Sequence, residues 1–388
     1  MTLLAAVGQA RALDGREAGL QATRQALNEL GSNSPVLAIV ISSYRYDAQQ
    51  VVNGVAGLIG NTPMIGFSSP AGMSSDGFHS HSVVVALLAA TDVRADVQWL
   101  AGTTQDGREV SQQLAELLKR KRKQPALLFA DGFNADAEQL CNSLPAGVNL
   151  VGALSSGDLQ TGNAYQIGGT QFGANGLALA RLEGQIRVGV GYGHGWQPVG
   201  KQFRVTRSHG FRVHTLDGQP ASETYAHLFG YPAHEWTIPP LNNLTRLYPL
   251  GLEQPDKGLL LRSPLGVDAD GSFRMNAPVP DGSEAYLLTG SLSSCKAAAQ
   301  AAAGQALAAM AGARPVLALV LADIAWLMLF EAQPGEDVAA IQATLGLDVP
   351  VAGGYTLGQI VPGGKGIPLF LNQHVVVIVF GEPQEKEK

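Results

Sequence analysis

The chain has 388 residues, enough for two or three domains that each bury a core of their own. Charged residues make up 15% of it, against roughly 25% in an ordinary soluble chain, so a homodimer covering part of the surface is expected. A net charge of −6 and an aromatic content of 6% exclude a global field for nucleic acid and a base-stacking platform.

The first elements in chain order are a strand over Ala5–Ala10, a helix over Arg16–Leu30 and a strand over Pro35–Ile41. A helix over Asp47–Ile59, a strand over Met64–Ser69, a glycine-rich loop and a strand over Val83–Leu88 follow. The run after Pro35 is apolar without alternation, which is the pattern of a strand buried on both faces. Proline at a strand's first residue removes no central ladder bond.

The same order returns over Asp96–Ala101, Gly107–Lys123, Pro125–Ala130, Ala135–Leu144, Leu150–Ser156, a loop, and Gly176–Leu182. The basic run Lys119-Arg120-Lys121-Arg122-Lys123 ends the first of these helices, where cations complement the last carbonyls. A strand-rich block, Glu183 to Gly282, comes next, with turn signals at Leu216-Asp217-Gly218 and Asp270-Gly271. It holds one helix over Pro220–Leu228 and an irregular connector, Trp236–Tyr248. A boundary near residue 220 divides the chain into halves 1–220 and 221–388.

A third unit reads Glu284–Thr289, Cys295–Ala311, Pro315–Leu321, Gly335–Leu345, Val351–Thr356, a loop, and Val375–Phe380. The alanines of its first helix give a thin profile that packs closely on a sheet. The expected class is therefore α/β, with mixed sheets flanked by helices and one repeated unit used three times. Cys141 and Cys295 read as buried reduced thiols in a cytoplasmic protein. Met1 to Ala6 lacks a basic stretch and Arg11 follows closely, so no secretory signal is expected there. The apolar stretch Val316–Phe330 is broken by Asp323 and too short to span a bilayer, so no membrane partner is expected.

The segment Tyr192-Gly193-His194-Gly195-Trp196-Gln197-Pro198-Val199-Gly200, with Val205-Thr206, resembles the His-Gly-Trp-x-Pro-x-Gly stretch of FIST domains. Leu216 to Ala221, Tyr225, Ile65 to Gly72, Gly353 to Ile360 and Phe370 to Gln373 are similar to other segments of that family. The resemblance covers both family halves and implies an intracellular sensory module for a small molecule, with amino acids as the suggested class. It also implies, for some members, a bound haem that senses nitric oxide beside a histidine kinase. This sequence departs from the family at Asp323–Phe330, at Gln359 and at His374, and these changes leave the ligand open.

Ligands of open α/β sheets sit at the carboxyl ends of strands, so the loops Ser68–Ser75, Ser155–Thr161 and Tyr355–Pro362 are the expected walls. Ser68, Ser69, Ser155 and Ser156 offer hydroxyls, and Asp158 a carboxylate for an ammonium group; ordinary turn chemistry explains the same residues. Gly72, Trp196, Tyr355, Gln359 and Asn372, from the segments that carry the resemblance, complete the expected ligand set. His194 or His374 is the candidate haem ligand, the alternative for His194 being a turn histidine bonded to backbone. His79 and His81 lie two apart, with no carboxylate or thiol at metal-ligand spacing, so no metal site is expected. His209, His214, His227 and His234 read as surface or capping residues. No nucleophile elbow, phosphate loop or dinucleotide fingerprint follows a strand, and Asp131, Asp158 and Asp323 read as helix or turn caps. A sensory binding protein is expected, then, with an enzyme of unknown reaction as the other alternative.

Overall fold

The computed structural model describes residues 3–102, 107–254, 258–363 and 366–384. Residues 1–2 of the N-terminal segment and 255–257 of the strand-rich block lie outside these.

The first apolar runs form β1 (Leu4–Ala10), α1 (Gly15–Leu30), β2 (Pro35–Ser43), α2 (Ala48–Ile59) and β3 (Met64–Ser69). Asp14 and Asp47 cap the two helices, each accepting a bond from a backbone N–H in the first turn. The expected loop after β3 is instead a hairpin, β4 (Ala71–Ser74) and β5 (Gly77–Ser80), followed by β6 (Val83–Ala89). The next segment supplies β7 (Arg94–Ala101), α3 (Gly107–Lys119), β8 (Ala126–Ala130), α4 (Ala137–Ser143) and β9 (Leu150–Leu154). It continues with β10 (Gln166–Gly168), β11 (Gln171–Gly173) and β12 (Gly176–Glu183).

After β13 (Arg187–Gly193) the chain enters an inserted module: β14 (Trp196–His209), β15 (Arg212–Leu216), β16 (Gln219–Pro220) and α5 (Ala221–Phe229). Its second part holds α6 (Leu241–Leu244), β17 (Leu250–Gln254), β18 (Gly258–Arg262), β19 (Pro264–Val267), β20 (Phe273–Met275) and β21 (Glu284–Gly290). The chain then forms α7 (Leu292–Ala309), β22 (Arg314–Asp323), α8 (Ile324–Leu329) and α9 (Glu336–Leu345). It ends in β23 (Val351–Thr356), β24 (Gln359–Val361), β25 (Leu369–Leu371) and β26 (Val375–Glu382).

The protein is α/β, with mixed sheets flanked by helices. Three sheets have six strands, in the orders β1-β6-β2-β3-β10-β11, β25-β24-β9-β8-β12-β7 and β13-β26-β22-β23-β4-β5. Each is completed by a hairpin from another segment: β10–β11 joins β3, β24–β25 joins β9, and β4–β5 joins β23. At three or four residues each these hairpin strands are too short to show a periodic pattern, and in the sequence they read as loops. Glycines in β3, β9 and β23, the strands they join, serve close approach to the neighbouring strand. Gly66, Gly152 and Gly353 lie in register with Val40, Leu128 and Val320, and a Cβ at any of them would overlap that partner's carbonyl.

Alternation along the strands divides the core. Leu37, Ile39 and Ile41 of β2 pack inward with Phe67, Phe129, Leu319 and Ile378 from all three sheets. The rings of Phe67 and Phe129 meet there with centroids 4.6 Å apart. Ala38 and Val40 point the other way, onto α1 and α2, and the same arrangement holds for α3 and α4 and for α7 and α9. Three sheets thus enclose a common core, with their helices outside.

One strand expectation is corrected. Glu284–Thr289 does not open the third layer; it is β21, paired with β14 and β17 in the module's eight-stranded sheet. The edge place beside β26 belongs to β13. The reason is its glycine alternation: Gly189 and Gly191 lie so close to α7 that a Cβ would overlap the carbonyls of Ala306 and Ala302. The thin alanine face of α7 fits only a strand with no side chains on that side. Residue 220 falls inside the module, as the N-cap position of α5. No helix among the described residues is long and apolar enough to cross a membrane.

Candidate ligand-binding site

The ends of β3, β9 and β23 do meet. Ser156 N–H donates to the Ser68 carbonyl at 3.0 Å, Leu154 N–H to Gly358 at 2.9 Å, and Tyr355 N–H to Ser69 Oγ at 2.8 Å. The four serines expected to face a ligand lie at this meeting point, where three of their hydroxyls bond within the fold and, among the described residues, that of Ser156 finds no partner. Ser68, Ser69, Ser155 and Ser156 are all fully buried. Ser68 Oγ donates to the Ser156 carbonyl at 2.9 Å and accepts from Tyr165 N–H at 2.8 Å, while Ser155 Oγ accepts from Gln166 Nε2.

Asp158 lies apart, accepting from Gln160 and Thr161 N–H, and these backbone bonds hold its carboxyl below the usual range. It is a turn residue. Gly72 pairs with Gly354 inside the third sheet. Trp196 is buried, donating Nε1–H to the Leu247 carbonyl at 3.1 Å, with its ring 6.1 Å from that of Trp326. It ties the module to the third layer.

Around Asp323 a buried polar cluster gathers from six segments. The Asp323 carboxylate caps α8 through Ala325 N–H and also accepts from Gln373 N–H at 2.9 Å. Burial pushes its carboxyl up to about 6, against these bonds and the nearby Arg246. Gln373 Nε2 donates to the Arg246 carbonyl and to Ser263 Oγ, and Gln359 Nε2 to Thr356 Oγ1. Within this cluster Asn372 Oδ1 and Nδ2, Gln359 Oε1 and Asn276 Oδ1 have no partner among the described residues. The Arg246 guanidinium is 3% exposed with its Nε and Nη1 unpartnered, and burial lowers its pKa to about 10. Sequence reasoning had picked Gln359 and Asn372 from this group; Arg246 and Asn276 carry no local signal.

Beside this cluster opens a cleft of about 680 Å³. The module supplies Pro240, Asn243, Leu244 and Leu247; α8 and the turn after it supply Leu327, Met328, Phe330, Glu331 and Pro334. Phe78 of β5 and Tyr355 of β23 close it. Two elements serve both sites: the turn Thr245–Leu247 gives Leu247 to the cleft and Arg246 to the cluster, and β23 ends in Tyr355 and Thr356. Behind the cleft, Tyr355 Oη–H donates to Asp337 Oδ2 at 2.9 Å. Burial raises the Asp337 carboxyl, which the phenol opposes, and burial followed by that carboxylate raises Tyr355 well above its usual value. Tyr355 is therefore a neutral donor. Of the expected ligand residues, it alone lines this cleft.

His374 is 7% exposed, with Nδ1 2.6 Å from the Asn372 carbonyl. Burial, and then His194, lowers its pKa to about 3, so it is neutral. The rings of His194 and His374 rest edge to face, centroids 4.9 Å apart, and neither lines the cleft. A haem macrocycle has no slot between rings in contact. As placed, the pair does not fit that group. His79 and His81 go elsewhere, to Ser74 Oγ at 2.7 Å and onto the Tyr46 ring at 4.4 Å. Among the described residues no cluster of three or more metal-ligating side chains occurs.

A family model described as the FIST N domain matches residues 36–219, and one described as the FIST C domain matches 221–362. The chain belongs to the FIST family. FIST domains are associated with sensory and signal-transduction roles. A curated relative, the uncharacterized protein MJ1623 of Methanocaldococcus jannaschii, is 23% identical over 271 residues, 66% of this chain. This FIST protein spans about half, 51%, of that relative's length. Among solved structures, T. maritima PurL complexed with ADP is similar at a TM-score of 0.24 and 11% identity, covering 98% of this chain and 72% of that one. PurL complexed with ATP gives 0.25 and 12% over the same shares. Similarity at that level carries no argument about fold or ligand.

Proposed function

We propose that this FIST protein is a cytoplasmic sensor that binds an amino-acid-like small molecule in the cleft and signals in trans, to a partner such as a histidine kinase. One observation carries the reading. The 680 Å³ cleft, apolar along most of its wall, lies where the inserted module meets α8 and β23. Small-molecule sites favour such module junctions. A ligand gripped by Leu244 and Leu247 on one side and Leu327 and Met328 on the other binds one spacing of the two bodies better than others. That differential affinity is what a switch requires.

Isothermal titration of the full chain with the amino acids and their common metabolites is the direct test. Binding is expected for at least one compound with an apolar body, and its loss in Leu327→Trp, where the indole fills the cleft. Silence across the whole panel, or undiminished binding in that variant, overturns the proposal.

A further inference from the structure

The cleft's lining is uneven in charge, and the unevenness selects a ligand class. Three aromatic rings border it: Phe78, Phe330 and Tyr355. Phe78 and Tyr355 have ring centroids 6.3 Å apart at an interplanar angle of 56°, a tilted contact in which Phe78 is half-buried and Tyr355 1% exposed behind it. Phe330 is held rigid by stacking on Trp326 at 6.0 Å and 12°. Glu331, the next residue, is exposed and also lines the cleft, and among the described residues no Lys, Arg or His does. Aromatic faces carry negative charge in their quadrupole, and a cation over them is attracted most strongly where water is excluded.

Tyr355 backs the Phe78 ring as an electron-rich neighbour. Its Oη–H is given to the Asp337 carboxylate at 2.9 Å, and Asp337 is itself 1% exposed. A phenol that donates to an anion shifts electron density into its ring. The cleft thus has a negative rim at Glu331 and an electron-rich inner wall. An anion would face both. The nearest cation along the chain, Arg246, is 3% exposed and is not part of the lining.

We infer that the cleft takes an organic cation, a primary or methylated ammonium group on an apolar body, with the cation against the ring of Phe78 and near Glu331. The inference rests on the proposed binding role of the cleft and adds the charge of its ligand.

A matched series tests it by titration of the full chain: 2-phenylethylammonium, 2-phenylethanol and phenylacetate, which share a body and differ in charge. The ammonium is expected to bind at least about tenfold more tightly than the alcohol, a difference of about 1.4 kcal/mol. That preference should shrink in Glu331→Gln and in Phe78→Leu, whose melting temperatures report that they remain folded. Equal binding of ammonium and alcohol, or preference for phenylacetate, overturns the cation assignment and leaves the binding role of the cleft intact. A preference unchanged in both variants overturns the assignment of these residues. Failure of all three probes overturns the inference too, while the amino-acid panel judges the cleft separately.

Discussion

His374 enters the folded core without a charge, and that has a cost in acid. Its pKa falls from an ordinary 6.5 to about 3 on folding, so between those values the unfolded chain holds a proton that the folded chain does not. Stability from this residue is complete above pH 6.5 and drains away below it, by up to about 1.4 kcal/mol per pH unit. Asp323 works in the opposite sense, since its raised pKa of about 6 lets the folded state hold the extra proton between pH 3.8 and 6. The two partly cancel in that window. Denaturant titrations at pH 7 and pH 4.5 should show His374→Gln losing less stability on acidification than the parent; equal losses would remove His374 from the account. Arg246 gives a second residue-level prediction. Its charge opposes that of buried Asp323, and removing one member of such a pair leaves the other uncompensated, at a cost of about 3–5 kcal/mol. Arg246→Met is expected to melt below the parent's temperature at pH 7, and an added Asp323→Asn to recover part of the loss. An unchanged melt in Arg246→Met would mean that the two groups are not coupled.

Elements pack through the positions where side chains are missing. In α2, Gly54 sits against the Arg16 carbonyl of α1, where a Cβ would overlap it, whereas Gly57 one turn on has nothing within 4 Å. The same substitution should therefore act in opposite directions. Gly57→Ala gains about 0.5–1 kcal/mol from helix propensity, and Gly54→Ala loses more than that to separation of the helices; thermal melts of both decide it. Glycine and alanine also explain which elements could be read from sequence. The proline-led strands β2 and β22 were visible because long apolar runs between punctuating residues have few other uses. β13 was missed as a layer strand because it presents glycines to α7, and β21 was put in its place because apolar residues precede the helix there. The exchanged hairpins looked like loops because their strands are only three or four residues long. Of the candidate site, Tyr355, Gln359 and Asn372 were found through family-like segments. Phe78, Leu244, Leu327 and Glu331 come from three remote stretches and share no spacing, so only folding brings them together.

For the whole molecule, each of the three layers needs a strand pair from another. β4–β5 closes on β23, β10–β11 on β3, and β24–β25 on β9. Cooperativity should follow from that closed circuit. A fragment of residues 1–183 keeps two layers' worth of sequence but strands β4 without β23 and leaves β9 without β24. It is expected to lack a cooperative thermal transition by circular dichroism, although it holds most of the strands and helices of both layers. A sharp, reversible melt for this fragment would show that the circuit is not required.

The same circuit sets a timetable on the ribosome. Gly72 finds its strand partner only when Gly354 has been made, and at about 5–20 residues per second that wait lasts on the order of tens of seconds. Until then a nascent chain carries β4 with an open edge, the kind of surface that chaperones shield and that crowded polysomes turn into aggregates.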